Sequence, residues 1–306
     1  MTGEGQPADS AARPGHLPWG VLGVPSSAAA HWPGIEQAPA VLREAGLVPA
    51  LSAGRFPVQD FGDLPVTRWA AHREAGRPNN AEAVAEVLDA ARARLADILR
   101  QGARPVVLGG ECTLALALVA ACADLGRDVG VVYIDGGQDL ALPADHPEEP
   151  ILDSMGVAHL LDLPGTDDVI AGVGPHRPLL QDADVVFFGY SDEEEDRHGQ
   201  VGSVRIPASA VSADSGAAAQ RALAVLGNEE IIVHLDVDVL DFLEVPAADI
   251  AGYGRGPALA ELTQALRVLV HDPRCAGLLL VEYNPDHDPG RRAAAQLVTM
   301  LRAVFA

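Results

Sequence analysis

The chain has 306 residues, and its 21 basic and 43 acidic side chains leave a formal charge of −22 at pH 7. Every basic side chain is an arginine, and these are scattered, which excludes a basic surface built to grip nucleic acid. A hydrophobic content of 48% excludes intrinsic disorder, and the acidity fits a soluble protein that welcomes a cationic substrate.

Residues 1–15 are polar and lack the apolar run of a signal peptide, so they read as a disordered tail ahead of one domain over 16–306. From Pro18 onward, short runs of Val, Ile and Leu alternate with helix-length segments, the pattern of βαβ units. A strand is expected at 20–24, a helix at 39–44, a strand at 56–60 and a long helix at 80–101. That helix has Val84, Val87, Leu88, Ala91, Leu95, Ile98 and Leu99 on one face. A strand at 105–108, a helix at 113–125 and a strand at 129–134 follow. Further strands fall at 183–188, 201–206, 231–236 and 278–282, with helices at 216–226, 257–270 and 290–305. The strands are short and mostly apolar on both faces, as strands between two helix layers are. In the last helix Leu297, Leu301 and Val304 form a stripe that packs on the sheet. The fold class is therefore α/β: a single doubly wound domain with a mostly parallel, about eight-stranded sheet between helix layers.

Cys112, Cys122 and Cys275 show no C-x-x-C spacing, so neither a disulfide framework nor a zinc knuckle is indicated. A cytoplasmic location is expected. No run reaches the ~18 apolar residues of a membrane span, so neither membrane nor nucleic acid is an expected partner. Cys122 and Cys275 belong to apolar segments and are assigned to the core.

In sheets of this kind the ligand site lies beyond the carboxyl ends of the strands. Those ends carry Gly109-Gly-Glu-Cys112, Asp135-Gly-Gly-Gln-Asp139, His234-Leu-Asp-Val-Asp238 and Glu282-Tyr-Asn-Pro285. Asp135, Asp139, Asp236 and Asp238 in one pocket repel unless a cation lies between them, and hard oxygen ligands suit Mn2+, Mg2+ or Ca2+. Without a cation, such crowding raises carboxyl pKa values instead. His234 shares a strand face with Asp236 and Asp238. Glu282 ends an apolar strand, where a carboxylate needs a guanidinium partner, from a substrate or from an internal arginine.

The chain after its tail resembles the arginase, agmatinase and formiminoglutamase superfamily, the ureohydrolases. The resemblance rests on 34–47 (GIEQAPAVLREAGL), Asp60-Phe-Gly-Asp-Leu-Pro65, Leu108-Gly-Gly-Glu-Cys-Thr-Leu-Ala115, Asp135-Gly-Gly-Gln-Asp139, Asp236-Val-Asp-Val-Leu-Asp241 and Glu282-Tyr-Asn-Pro285. It implies a centre of two Mn2+ ions bridged by hydroxide, held by two histidines and four aspartates, with the hydroxide attacking a guanidinium carbon. By position, the aspartates are Asp135, Asp139, Asp236 and Asp238, whereas Cys112 and Gly137 stand where the histidines would be. Cys112 is a further candidate ligand, one that favours Zn2+ or Fe2+; a reactive thiol and an inert buried residue are its other readings. His234 is a candidate replacement ligand or proton carrier, or else a satisfied histidine at the rim. Asp139, Glu282 and His234 are the catalytic candidates.

The resemblance gives Glu282 the guanidinium of the substrate and puts Asp153, Ser154, Met155, Asp192 and Glu194 at positions that bind substrate. Met155 falls where the family has a histidine and reads otherwise as packing, and the acidic run 192–196 reads otherwise as a solvated loop. The segment 140–154, with three prolines and four acids, departs most from the family, so arginine itself is not the expected substrate. Cysteine in place of a ligand histidine is similar to the hydroxyarginine hydrolases of antibiotic pathways. The function expected is a metal-dependent hydrolase of a C–N bond in a guanidino, hydroxyguanidino or amidino compound, in bacterial specialised metabolism. The alternative is a ureohydrolase-fold protein with a degenerate metal site, repurposed for another reaction or for noncatalytic binding. One or two Mn2+ ions, Zn2+ or Fe2+ through the cysteine, or no metal are the corresponding cofactor states, and a homo-oligomer is implied.

Overall fold

The computed structural model describes residues 17–73, 76–194, 196, 198–252 and 254–306. The tail expected at 1–15 lies outside them. In chain order the elements are β1 (Trp19–Val24), α1 (Ala38–Glu44), α2 (Leu47–Ser52), β2 (Val58–Asp63), α3 (Ala81–Arg100), β3 (Arg104–Gly109), α4 (Leu114–Asp124) and β4 (Val129–Ile134). They continue with α5 (Gly156–Leu160), α6 (Asp168–Ala171), β5 (Val185–Phe188), β6 (Val204–Ile206), α7 (Ala208–Ala213), α8 (Ser215–Val225) and β7 (Glu230–Asp236). The chain ends with α9 (Leu259–Val270), β8 (Cys275–Val281) and α10 (Arg292–Phe305).

The eight strands form one sheet in the order β2-β1-β3-β8-β7-β4-β5-β6, and every pairing is parallel. Alternation along each strand divides the interior in two. Leu22, Val107, Val131, Ile232 and Leu279 face α3 and α4, whereas Val21, Val106, Val132, Val233 and Leu278 face α8, α9 and α10. The expected face of α3 is buried throughout, as are Leu297, Leu301 and Val304 of α10 and both structural cysteines.

The edge strands differ from expectation for identifiable reasons. β2 runs to Asp63 and is largely exposed, because its outer side meets solvent and Arg43 pairs with Asp60 and Asp63 at 2.7 and 3.1 Å. β6 has only three residues of the six expected, because the Arg205 guanidinium binds the Val201 and Ser203 carbonyls at 2.9 and 3.2 Å and takes them out of the ladder. The helices α2, α5, α6 and α7 are too short to produce a readable period. What matters for function is the middle of the sheet. There β3, β8, β7 and β4 are neighbours, so their carboxyl ends meet at one rim.

Candidate metal centre and substrate cavity

At this rim lies a cavity of about 120 Å3 lined by Asp135, Asp139, Asp153, Asp236, Asp238, Asp249 and Glu282, together with His31 and Cys112; among the described residues no arginine lines it. The loops that follow the strands hold the carboxylates in place through backbone N–H groups. Gly137 donates to Asp135 Oδ1 at 2.6 Å, Gly136 to Asp238 Oδ1 at 2.8 Å, and Asp238 to Asp236 Oδ1 at 2.7 Å. The Cys112 N–H is shared between Glu282 Oε1 at 2.9 Å and Asp153 Oδ1 at 3.2 Å. Glu282 stands just past β8 in the left-handed region, φ 62°, as does Asp139 at φ 49°. Strained backbone at two cavity residues is characteristic of functional sites.

Two groups of potential ligand atoms lie close enough to share an ion. Oxygens of Asp135, Asp236 and Asp238 fall within 4.8 Å of one another, and so do ligand atoms of Cys112, Asp135 and His234. The Cys112 Sγ donates to Asp236 Oδ2 at 3.1 Å and lies 3.7 Å from Asp135 Oδ2. His234 is fully buried, stacked on Tyr133 with ring centroids 4.0 Å apart and planes 4° apart.

Electrostatically the cavity crowds acidic groups against one another. Burial, reinforced by neighbouring carboxylates, pushes Asp139, Asp153, Asp236 and Glu282 well above the ordinary carboxylate range. Asp238 rises to about 7 through burial and the proximity of Asp135. Burial and then Asp236 raise the Cys112 thiol, and burial lowers the His234 imidazole. These groups fit a divalent cation: clustered carboxylate oxygens carry repulsion that a cation removes, and both His234 nitrogens are buried without a hydrogen-bond partner.

The structure brings most of the expected residues together. Asp135, Asp139, Asp236, Asp238, Cys112, Glu282, Asp153 and Ser154 all line the cavity, and His234 is buried next to it, its Nε2 3.9 Å from Asp135 Oδ2. Among the described residues no arginine pairs with Glu282; it accepts from the Cys112 N–H at 2.9 Å and shares a side-chain hydrogen bond with the Asp153 carboxyl. The nearest carboxylate to the buried His234 ring is Asp135, 3.9 Å from Nε2.

Two expectations are corrected. Asp192 turns away and accepts from the Ser209 N–H at 2.9 Å and from its hydroxyl, at the start of α7; its neighbours Glu193 and Glu194 line the outer cavity instead. Met155 is fully buried among apolar side chains, because the turn entering α5 points inward. Glu111 also serves the scaffold, accepting from Ser26, Ala29 and Thr113 at 2.9 to 3.0 Å.

Two site residues escaped the sequence. Tyr133, two residues before Asp135 and hence on its strand face, donates to Asp139 Oδ2 at 2.5 Å. Strand parity marks it once Asp135 is singled out. Asp249 lies in a loop without periodicity. Its side chain is 5% exposed, Oδ1 meets Asn284 Nδ2 and His287 Nε2 at 2.6 and 2.8 Å, and Oδ2 has no partner.

A parallel sheet covered on both faces, with an acidic cavity at its central strand ends, is a doubly wound α/β architecture with its site where such sheets bind ligands. The chain belongs to the arginase family, whose model matches residues 18–305. It is 25% identical over 301 residues to the arginase of Bacillus caldovelox, covering 94% of this chain and 98% of that one. It is 27% identical over 274 residues to arginase-1 of Homo sapiens, covering 87% and 84%. The fold matches the B. caldovelox arginase structure with a TM-score of 0.83 at 21% identity, over 95% of this chain and 98% of that one. It matches the proclavaminate amidino hydrolase of Streptomyces clavuligerus with a TM-score of 0.72 at 20% identity, over 96% and 93%.

Gly137 offers a direct check on the three-carboxylate group. A Cβ there would meet only Asp135 Oδ1, at the ordinary contact distance of 3.5 Å, so the cavity wall has room for a side chain. Gly137→His is expected to raise Mn2+ affinity at least about tenfold by adding a nitrogen donor. Calorimetric titration checks this; unchanged affinity would argue against an ion at Asp135, Asp236 and Asp238.

Proposed function

We propose that this protein is a divalent-metal-dependent hydrolase that cleaves a C–N bond of a guanidino, hydroxyguanidino or amidino compound of specialised metabolism. The observation that carries the reading is the cavity with seven carboxylates and, among the described residues, no arginine. Such a cavity asks for two kinds of cation, a metal ion at the rim and a planar cationic group beside Glu282.

Asp135, Asp236 and Asp238 would hold the metal, with Asp139, Cys112 and His234 as further donors around them; Mn2+ suits the oxygens. A divalent cation bound there supplies Lewis acidity that makes a water nucleophilic at neutral pH. Glu282 orients the substrate: the Cys112 N–H fixes Oε1, and the carboxylate accepts from the N–H groups of a planar amidine. Asp153 and the unpartnered Oδ2 of Asp249 add acceptors on the same wall, suited to a substrate richer in N–H donors than a simple alkylguanidine. Asp139, held at Oδ2 by the Tyr133 hydroxyl, has Oδ1 available to hold a proton for the departing amine nitrogen. The neighbouring cavity of about 320 Å3, lined by Ser191, Glu193, Glu194 and Arg255, receives the rest of the substrate.

The test is release of urea or ammonia from a panel of guanidino, hydroxyguanidino and amidino compounds by protein loaded with Mn2+, Co2+ or Zn2+. Turnover of at least one is expected, and Glu282→Gln is expected to lower kcat/KM by about 10^2 to 10^3 with metal content unchanged, the range for losing one charged transition-state contact. No turnover in any metal-loaded form, or a Glu282→Gln protein as active as the parent, would defeat the reading.

A further inference from the structure

We propose that Cys112 Sγ, His234 Nε2 and Asp135 Oδ2 form a sulfur–nitrogen–oxygen metal seat that takes a borderline-soft divalent cation, of the Zn2+ or Co2+ class, in preference to Mn2+. The inference rests on the reading of this rim as a metal centre and is independent of which substrate is cleaved.

The distances suit such an ion. Metal–ligand lengths of about 2.0 to 2.3 Å at tetrahedral angles put neighbouring ligand atoms about 3.3 to 3.8 Å apart. Here Sγ lies 3.7 Å from Asp135 Oδ2, and His234 Nε2 lies 3.9 Å from the same oxygen. Asp236 Oδ2, 3.1 Å from Sγ, is the nearest fourth donor. The 3.9 Å separation is too long for a hydrogen bond and close to a ligand–ligand spacing.

His234 supplies the independent observation. Its side chain is 0% exposed, and neither ring nitrogen has a hydrogen-bond partner. Buried imidazoles are otherwise partnered, and an imidazole nitrogen facing a thiol and a carboxylate is a metal ligand awaiting its ion. Stacking on Tyr133 fixes the plane of the ring. The same tyrosine donates its hydroxyl to Asp139 Oδ2, so that oxygen is already engaged.

The donor types decide the metal. A thiolate and an imidazole favour Zn2+ or Co2+, whereas the all-oxygen group of Asp135, Asp236 and Asp238 favours a hard cation. As the ion binds, the thiol S–H bond breaks, its proton leaves to solvent, and the sulfur lone pair forms the bond to the metal. Thiolate and Asp135 then balance the charge of the cation with His234 neutral. Asp135 belongs to both groups, so this seat and the hard one would share that carboxylate.

Co2+ titration of the full chain, stripped by chelator and kept reduced with a non-coordinating phosphine, reads the seat directly. The expected result is a near-ultraviolet thiolate-to-cobalt charge-transfer band with intense visible bands of four-coordination, displaced by Zn2+ but not by an equal concentration of Mn2+. Cys112→Ser should abolish the charge-transfer band, and His234→Gln should retain it with affinity lowered at least about tenfold. A 113Cd resonance of the unmutated protein shifted into the one-sulfur range gives the same answer should a variant fail to fold. Co2+ bound without the band, no Co2+ bound, a band that survives Cys112→Ser, or a cadmium shift typical of oxygen ligands would each overturn the proposal. Amidine turnover by Mn2+-loaded protein that shows no thiolate band would leave the hydrolase reading standing and remove this one; a thiolate band without turnover would do the reverse.

Discussion

Asp135→Asn is expected to lower kcat/KM for any amidine substrate by at least about 10^3-fold, well beyond the 10- to 100-fold typical of residues that only support a metal ligand. Among the described residues Asp135 is the carboxylate common to both groups of potential ligand atoms, so its neutralisation weakens every arrangement of metal at this rim. The loss should not arise from misfolding. Asp135 is 2% exposed among acids, and replacing its charge by an amide of the same shape relieves repulsion in the metal-free protein while Oδ1 can still accept from the Gly137 N–H. Metal content by mass spectrometry, thermal melting and kinetics on one preparation separate these effects. An Asp135→Asn protein with parental metal content and activity would contradict the assignment of the rim as the metal centre.

Stability of the metal-stripped protein is expected to fall as pH rises from 5 to 8, the reverse of a protein held together by salt-bridged carboxylates. Asp238 titrates near 3.8 when unfolded and at about 7 when folded, and Asp139, Asp153, Asp236 and Glu282 shift in the same direction. The folded state therefore binds more protons than the unfolded state between those values. Their stabilising contribution is complete below about pH 4 and is lost as pH rises through the folded pKa. The slope is at most about 1.4 kcal/mol per pH unit for each carboxyl, and smaller for the half-buried Asp238, which solvent screens. Asp124, which its hydrogen bonds with Arg92 hold below the ordinary range, has the opposite slope, but only at lower pH. Melting temperatures across pH 5 to 8 should decline without metal, flatten on adding a divalent cation, and decline less in Asp238→Asn. A flat or rising profile in the stripped protein would show that the cavity does not hold these carboxyls under mutual repulsion.

Much of this was legible in the sequence, because it depends on short-range pattern. The eight strands, the amphipathic α3 and the α10 stripe follow from periodicities of two and 3.6, and strand ends rich in acids mark a rim wherever parallel sheets form. Parity along β7 puts His234 on the same face as Asp236. The edge strands were read less well, since β2 and β6 owe their limits to Arg43 and Arg205 rather than to burial of their own residues.

Which partner each side chain takes was decided only by the tertiary structure. The order β3-β8-β7-β4 brings Cys112 to Asp135 across 23 residues and to His234 across 122, and no local pattern encodes that meeting. Tyr133 binds Asp139, Ser209 holds Asp192 outside the cavity lining, and Asp249 enters the cavity from a loop with no period. The sequence alone thus determined that acids would crowd one rim of a parallel sheet. The tertiary structure decided that a thiol and an unpartnered imidazole stand among them, because neighbours across a sheet are set by strand order while neighbours along a strand are set by the chain.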